Sequence, residues 1–113
     1  QAFVDCGAAI RVDPTNARGY NARAWFYATC PDARYRNGQR AVDDATKACE
    51  LTEWKVSDYI DTLAAAYAES GIFTDAVKWQ QKGLEMAPDA EKEDYRSRLT
   101  LYQSGTPYRQ ESK

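Results

Sequence analysis

Apolar residues recur along this chain at helical spacing, in blocks separated by glycine or proline. The clearest block is Tyr59-Ile-Asp-Thr-Leu-Ala-Ala-Ala-Tyr-Ala-Glu-Ser-Gly71. Ile60, Leu63, Ala64 and Tyr67 fall at i, i+3, i+4 and i+7, one face of an α-helix. Ser70-Gly71 ends that helix, because glycine accepts the left-handed backbone of a C-cap. A second block follows at once. Thr74 or a near neighbour starts it, Phe73, Ala76, Val77 and Leu84 form its stripe, and Pro88 stops it. Two amphipathic helices joined by a tight glycine turn predict a helical hairpin.

The pattern repeats. Ala76 to Pro88 spans twelve residues, and so does Ala2 to Pro14. Residues 2–14 therefore read as the second helix of a repeat whose first helix is missing, and a start without Met fits a piece of a longer protein. Tyr20, Ala24 and Tyr27 match Ile60, Ala64 and Tyr67 at the same intervals, and Ala41, Ala45 and Ala48 open the partner helix. Ala41 to Ala76 is 35 residues, close to the 34-residue period of one class of helical repeat. A last helix starts near Asp89, a plausible N-cap, with Glu91, Glu93 and Asp94 at the positive end of its dipole and Tyr95, Leu99 and Tyr102 as its stripe. Gly105 and Pro107 end it, and residues 108–113 read as a frayed tail. Helices are expected near 2–12, 17–29, 38–52, 57–70, 73–86 and 90–104, with no β-strand.

These residues resemble the tetratricopeptide repeat family. Ala64, Tyr67, Gly71, Phe73, Ala76 and Pro88 match its pattern in register, and the resemblance covers about residues 2–90. The wording around Ala24-Trp25, Ala48-Cys49 and Asp61-Thr62-Leu63-Ala64 is similar to bacterial members of the planctomycete type. The resemblance implies an all-α fold: a right-handed α-solenoid of antiparallel helix hairpins with a C-terminal capping helix. The single domain 1–113 would comprise a half repeat (1–14), a repeat with a lengthened turn (17–53), a second repeat (57–88), the capping helix (90–104) and a tail (105–113). Two features depart from the family. Ala24 to Ala41 is seventeen residues where Ala64 to Ala76 is twelve, so the turn Cys30–Gly38 is five residues longer. Glu53-Trp54-Lys55 replaces the expected terminal proline.

Composition narrows the function classes. The 113 residues are 43% hydrophobic and 28% charged, a folded globular balance. Net charge is −2: residues 1–40 carry six Arg and three Asp (+3), and residues 41–113 carry nine basic and fourteen acidic residues (−5). Neither value points to nucleic acid, and the arginines from Arg18 to Arg40 read first as solvated charges. No apolar run is long enough to span a bilayer. Histidine is absent and the three cysteines (Cys6, Cys30, Cys49) are unpaired in spacing, which leaves no zinc pattern and no disulfide framework. A reducing cytoplasm fits that usage. No cofactor motif is present.

Binding is the favoured activity, with a protein or peptide as partner, and catalysis is not expected. In a stack of hairpins the first helices line a concave surface. With Tyr20, Ala24 and Tyr27, and Ile60, Leu63, Ala64 and Tyr67, facing the core, the expected groove residues are Asn21, Trp25, Asp58, Asp61, Ala65, Tyr95 and Arg98. Trp25 provides the anchor if it faces the groove, the other reading being that it packs on a neighbouring helix. Asn21 provides an amide, and Asp61 offers a carboxylate to a basic or neutral ligand group. Ala28, Ala65 and Ala68 would leave room, although close helix packing is the plainer reading of these alanines. Some tetratricopeptide domains grip a chaperone's C-terminal carboxylate with Lys, Asn and Arg on these helices; Asp58 and Asp61 stand against that here. Asp58 and Asp61 share a face and could do acid–base work, but a polar groove is the plainer reading. Trp54, Trp79 and the turn tip Arg34-Tyr35-Arg36 are further contact candidates. The alternative is a structural segment that self-associates through the open N-terminal edge, with Ala2, Phe3, Cys6 and Ile10 as the contact.

Overall fold

The computed structural model describes residues 2–110, with side chains from Gly7 onward. Among the described residues there are six α-helices and no strand: α1 (Ala2–Val12), α2 (Ala17–Thr29), α3 (Gly38–Leu51), α4 (Ser57–Glu69), α5 (Phe73–Met86) and α6 (Lys92–Gln103). Each packs on the next in the chain, and α2 also packs on α4.

Local chemistry sets the helix ends. Asn16 and Asn37 cap α2 and α3: each Oδ1 accepts a backbone N–H, from Gly19 at 2.9 Å and from Arg40 at 3.1 Å. Asp89 does not cap α6. It opens a single 3₁₀ turn, and α6 begins only at Lys92, with no side-chain cap. Helices α3, α4 and α6 close in the same way, with an amide two residues past the C-cap reaching back into the last turn: Trp54 N–H to Cys49 O (2.8 Å), Ile72 N–H to Tyr67 O (2.9 Å) and Thr106 N–H to Leu101 O (2.9 Å). The left-handed position is Gly71 (φ 79°) in α4 and Gly105 (φ 77°) in α6.

In α3 that position is Glu53 (φ 56°), and Trp54 follows at φ 61°. This double turn takes the place of the missing proline and lays Trp54 on Trp79 of α5, ring centroids 5.0 Å apart at 19°. Left-handed backbone costs a residue with a Cβ roughly 1–2 kcal/mol. The exposed Glu53–Lys55 pair at 3.3 Å offsets little of that. Glu53→Gly is therefore expected to stabilise the domain by about 0.5–1 kcal/mol, after the glycine's extra freedom in the unfolded chain is subtracted. A thermal melt that fell on this substitution would contradict the argument.

The core is built largely from alanine. Ala24, Ala28, Ala41, Ala45, Ala48, Ala64, Ala66 and Ala76 are all fully buried. Small side chains let helices approach closely, so α2, α3 and α4 share one cluster of Ala28, Ala41, Ala65 and Ala66. Larger groups fill the flanks: Ile60, Leu63, Tyr95 and Tyr102 are at most 2% exposed. Cys30 and Cys49 are buried and free, and burial pushes the Cys49 thiol up to about 12, so it behaves as a small hydrophobe.

The lengthened turn is anchored. Arg36 folds inward, with Nη1 donating to the Cys30 carbonyl at 2.7 Å and Nε 3.5 Å from Glu69 Oε2. Of the expected tip residues, only Arg34 and Tyr35 stand exposed.

Candidate functional site

Three turns of α2 and three of α4 form one seam. Asn21, Trp25 and Thr29 follow one another along α2, as do Asp58, Thr62, Ala65 and Glu69 along α4. Toward the N-terminal ends of these helices the seam opens into a cleft of about 250 Å³ lined by Asn21, Trp25, Asp58, Asp61 and Thr62. Four of the seven expected groove residues thus meet in one place. Trp25 is half-buried there, and the buried Asn21 Oδ1 has no hydrogen-bond partner.

The other three sit differently. Ala65 is 1% exposed and Tyr95 is 2% exposed; both belong to the core, not to an open groove. Ala28 and Ala68 are likewise buried, in line with close helix packing as the plainer reading of these alanines. Arg98 faces the seam, but as an internal partner. Its Nε donates to Asp61 Oδ1 at 3.0 Å, and its guanidinium lies over the rings of Tyr95 (5.2 Å), Tyr108 (5.5 Å) and Trp25 (6.0 Å).

Asp61 is therefore not an open carboxylate awaiting a cationic ligand. It is 7% exposed and held from two sides, by Arg98 and by Gln80 Nε2, which donates to Oδ1 at 2.9 Å. Burial raises its carboxyl above the ordinary range, and the Arg98 charge and the Gln80 hydrogen bond pull it back. Gln80 is fully buried on α5 and also donates to the Tyr95 carbonyl at 3.1 Å. Asp58 remains exposed at the cleft mouth, with Oδ1 accepting the Tyr95 hydroxyl at 2.9 Å.

The expected frayed tail is instead docked. Residues 107–110 run back across the other end of the seam without regular secondary structure. The Tyr108 ring packs on Trp25, centroids 5.6 Å apart. Arg109 Nη1 lies 2.8 Å from Glu69 Oε1, and the Gln110 amide donates to the Thr29 carbonyl at 2.9 Å. Residues 111–113 lie outside the described residues.

The other candidates resolve simply. Trp79 stacks on Trp54 and also packs against the cluster that holds Tyr102 of α6. The Arg18–Arg40 group is largely neutralised locally: Arg23 makes a two-pronged contact with Asp44 (2.7 and 3.0 Å), and Arg34 and Arg36 pair with Asp32 and Glu69. Among the described residues no group of three His, Cys, Asp or Glu side chains is placed to hold a metal, and no helix is long and apolar enough to cross a membrane. No model of a known protein family matches this chain, and no curated protein matches it either.

Proposed function

We propose that this chain is a peptide- or protein-binding adaptor, a right-handed stack of helix hairpins of the tetratricopeptide type that binds through the α2–α4 seam. The observation that carries the reading is the cleft beside Trp25. A half-buried indole on its wall supplies a rigid apolar contact at low entropic cost. Beside it the exposed Asp58 carboxylate accepts hydrogen bonds, and the Asn21 side-chain amide lines the wall with its Oδ1 turned inward and unpartnered. Such a site suits a ligand that brings N–H groups, such as a backbone amide, a side-chain amide or an amine, and needs no cofactor. The sequential packing of helices, with the added α2–α4 contact, supports the stacked-hairpin architecture.

The test starts by selecting a peptide from a random displayed library on the intact chain. Trp25→Ala should weaken that peptide's binding by roughly 2 kcal/mol, about 30-fold. The same sample should lose only about 1–2 kcal/mol of stability, because the indole is half-buried and not enclosed. Unaltered affinity, or loss of the fold itself, would contradict the reading.

Self-association through α1 is the second reading. Val12 is 87% exposed there. Ile10, on the same helix, packs toward Gly19 of α2, while the side chains of Ala2, Phe3 and Cys6 lie outside the described residues. A dimer in solution that α1 substitutions convert to monomer would favour it.

A further inference from the structure

The segment Pro107–Gln110 lies on the seam as a bound peptide would. It has no regular structure of its own, and it is held by one apolar anchor, one charged anchor and one backbone hydrogen bond. The apolar anchor is Tyr108, which lies against both Trp25 and the Arg98 guanidinium. The charged anchor is Arg109 on Glu69 at 2.8 Å. The backbone bond is Gln110 N–H to Thr29 O at 2.9 Å. The receiving groups are also held by contacts outside the tail. Thr29 Oγ1 donates to the Trp25 carbonyl at 2.7 Å, and Arg36 of the lengthened turn lies 3.5 Å from the Glu69 carboxylate. Arg98 is fixed by Asp61. The tail itself leaves α6 through Gly105, whose left-handed backbone forms the bend, and Arg109 keeps a third of its side-chain surface in water.

We propose that the seam takes an extended peptide in which an aromatic residue is followed directly by arginine, and that Tyr108-Arg109 is a built-in copy of that ligand, displaced when the partner enters. This rests on the adaptor reading and names its ligand. The partner's aromatic ring packs on Trp25 and Arg98, its guanidinium pairs with Glu69, and the chain preceding the aromatic residue is free to reach the open cleft at Asn21 and Asp58. A tail docked nine-tenths of the time lowers the apparent affinity of such a peptide about tenfold, since only the undocked fraction can bind.

The experiment uses the full chain and a blocked hexapeptide copying residues 105–110, Gly-Thr-Pro-Tyr-Arg-Gln. Binding is measured calorimetrically to the wild type and to Tyr108→Ser/Arg109→Ser, with circular dichroism as the folding control. The double variant should bind the hexapeptide at least tenfold more tightly than the wild type. Adding Glu69→Gln should remove most of that gain, and a hexapeptide with serine at both anchor positions should not bind. If the double variant does not fold, Arg109→Glu alone serves for the same comparison. Equal affinity for both proteins, or equal affinity for the serine hexapeptide, overturns the proposal. So does a wild-type dimer that becomes monomeric in the tail variant, which would assign the seam to the tail of a second copy. Library peptides that bind at Trp25 but lack the aromatic–arginine pair would overturn this inference and leave the adaptor reading standing.

Discussion

Replacing Arg98 with methionine is expected to destabilise the domain by about 3–5 kcal/mol at neutral pH, because it leaves a buried carboxylate without its cation. Asp61 has 9% of its side chain exposed and Arg98 has 15%, so water can replace the guanidinium only in part. Gln80 alone would remain on Asp61 Oδ1. The effect should depend on pH, with a definite sign. Burial already holds the folded-state carboxyl above its ordinary value, and loss of Arg98 lifts it further. An acid raised in the folded state costs stability where it is ionised, above its unfolded value, and that cost disappears as pH falls through the folded value. The deficit of Arg98→Met relative to wild type should therefore shrink between neutral pH and about pH 5. Asp61→Asn/Arg98→Met should recover much of the loss at neutral pH. Urea unfolding of the three proteins at both pH values provides the comparison. A deficit that does not change with pH would mean that lost packing on Trp25 and Tyr108 dominates, and the unpaired charge does not.

Gly38→Ala should cost about 2–3 kcal/mol although it adds a single methyl. Gly38 is the first residue of α3, where the lengthened turn re-enters the helix beside the end of α4. A Cβ placed there meets the Ser70 hydroxyl, and it meets the Ser70 backbone nitrogen at 2.8 Å and Cα at 3.0 Å. The hydroxyl can turn away. The backbone cannot, because the Ser70 amide donates to Ala66 O at 3.1 Å and the adjoining Gly71–Ile72 turn closes α4. The strain must therefore shift α3 against α4, with the alanine cluster between them. Thermal and urea unfolding measure the loss. Gly71→Ala is the useful contrast: it meets open space, so its cost comes from φ alone. A Gly38→Ala protein as stable as the wild type would show that the two helices separate easily at that point.

The helices were legible because their signals are local. The stripe Ile60, Leu63, Ala64, Tyr67 and the breaks at Gly71 and Pro88 lie within a few turns of what they determine. Helix ends fell within about two residues of expectation. The meeting of Asn21, Trp25, Asp58 and Asp61 was also readable, since α2 and α4 pack together and matched spacing puts these residues on facing sides of the two helices. What the sequence did not carry was the partner of each side chain. Asp61 and Arg98 lie 37 residues apart, and nothing near either marks the pair. Gln80 resembles its solvated neighbour Gln81, yet only Gln80 turns to the core. Ala65 and Tyr95 were placed in the groove because periodicity fixes which residues share a face. The rotation of that face depends on how closely the alanines let the helices approach. The tail was misjudged for a related reason: Gly105 and Pro107 mark the end of a helix, but docking depends on Trp25 and Glu69, both far away in sequence.

The most direct test of peptide binding at this seam is an amide chemical-shift map of the intact, isotopically labelled chain, titrated with a library-selected peptide. Shifts concentrated at Asn21, Trp25, Asp58 and Thr62, with loss of the Gln110–Thr29 contact as the tail leaves, are the predicted result. Shifts confined to α1, or to the outer faces of α3 and α5, would contradict it.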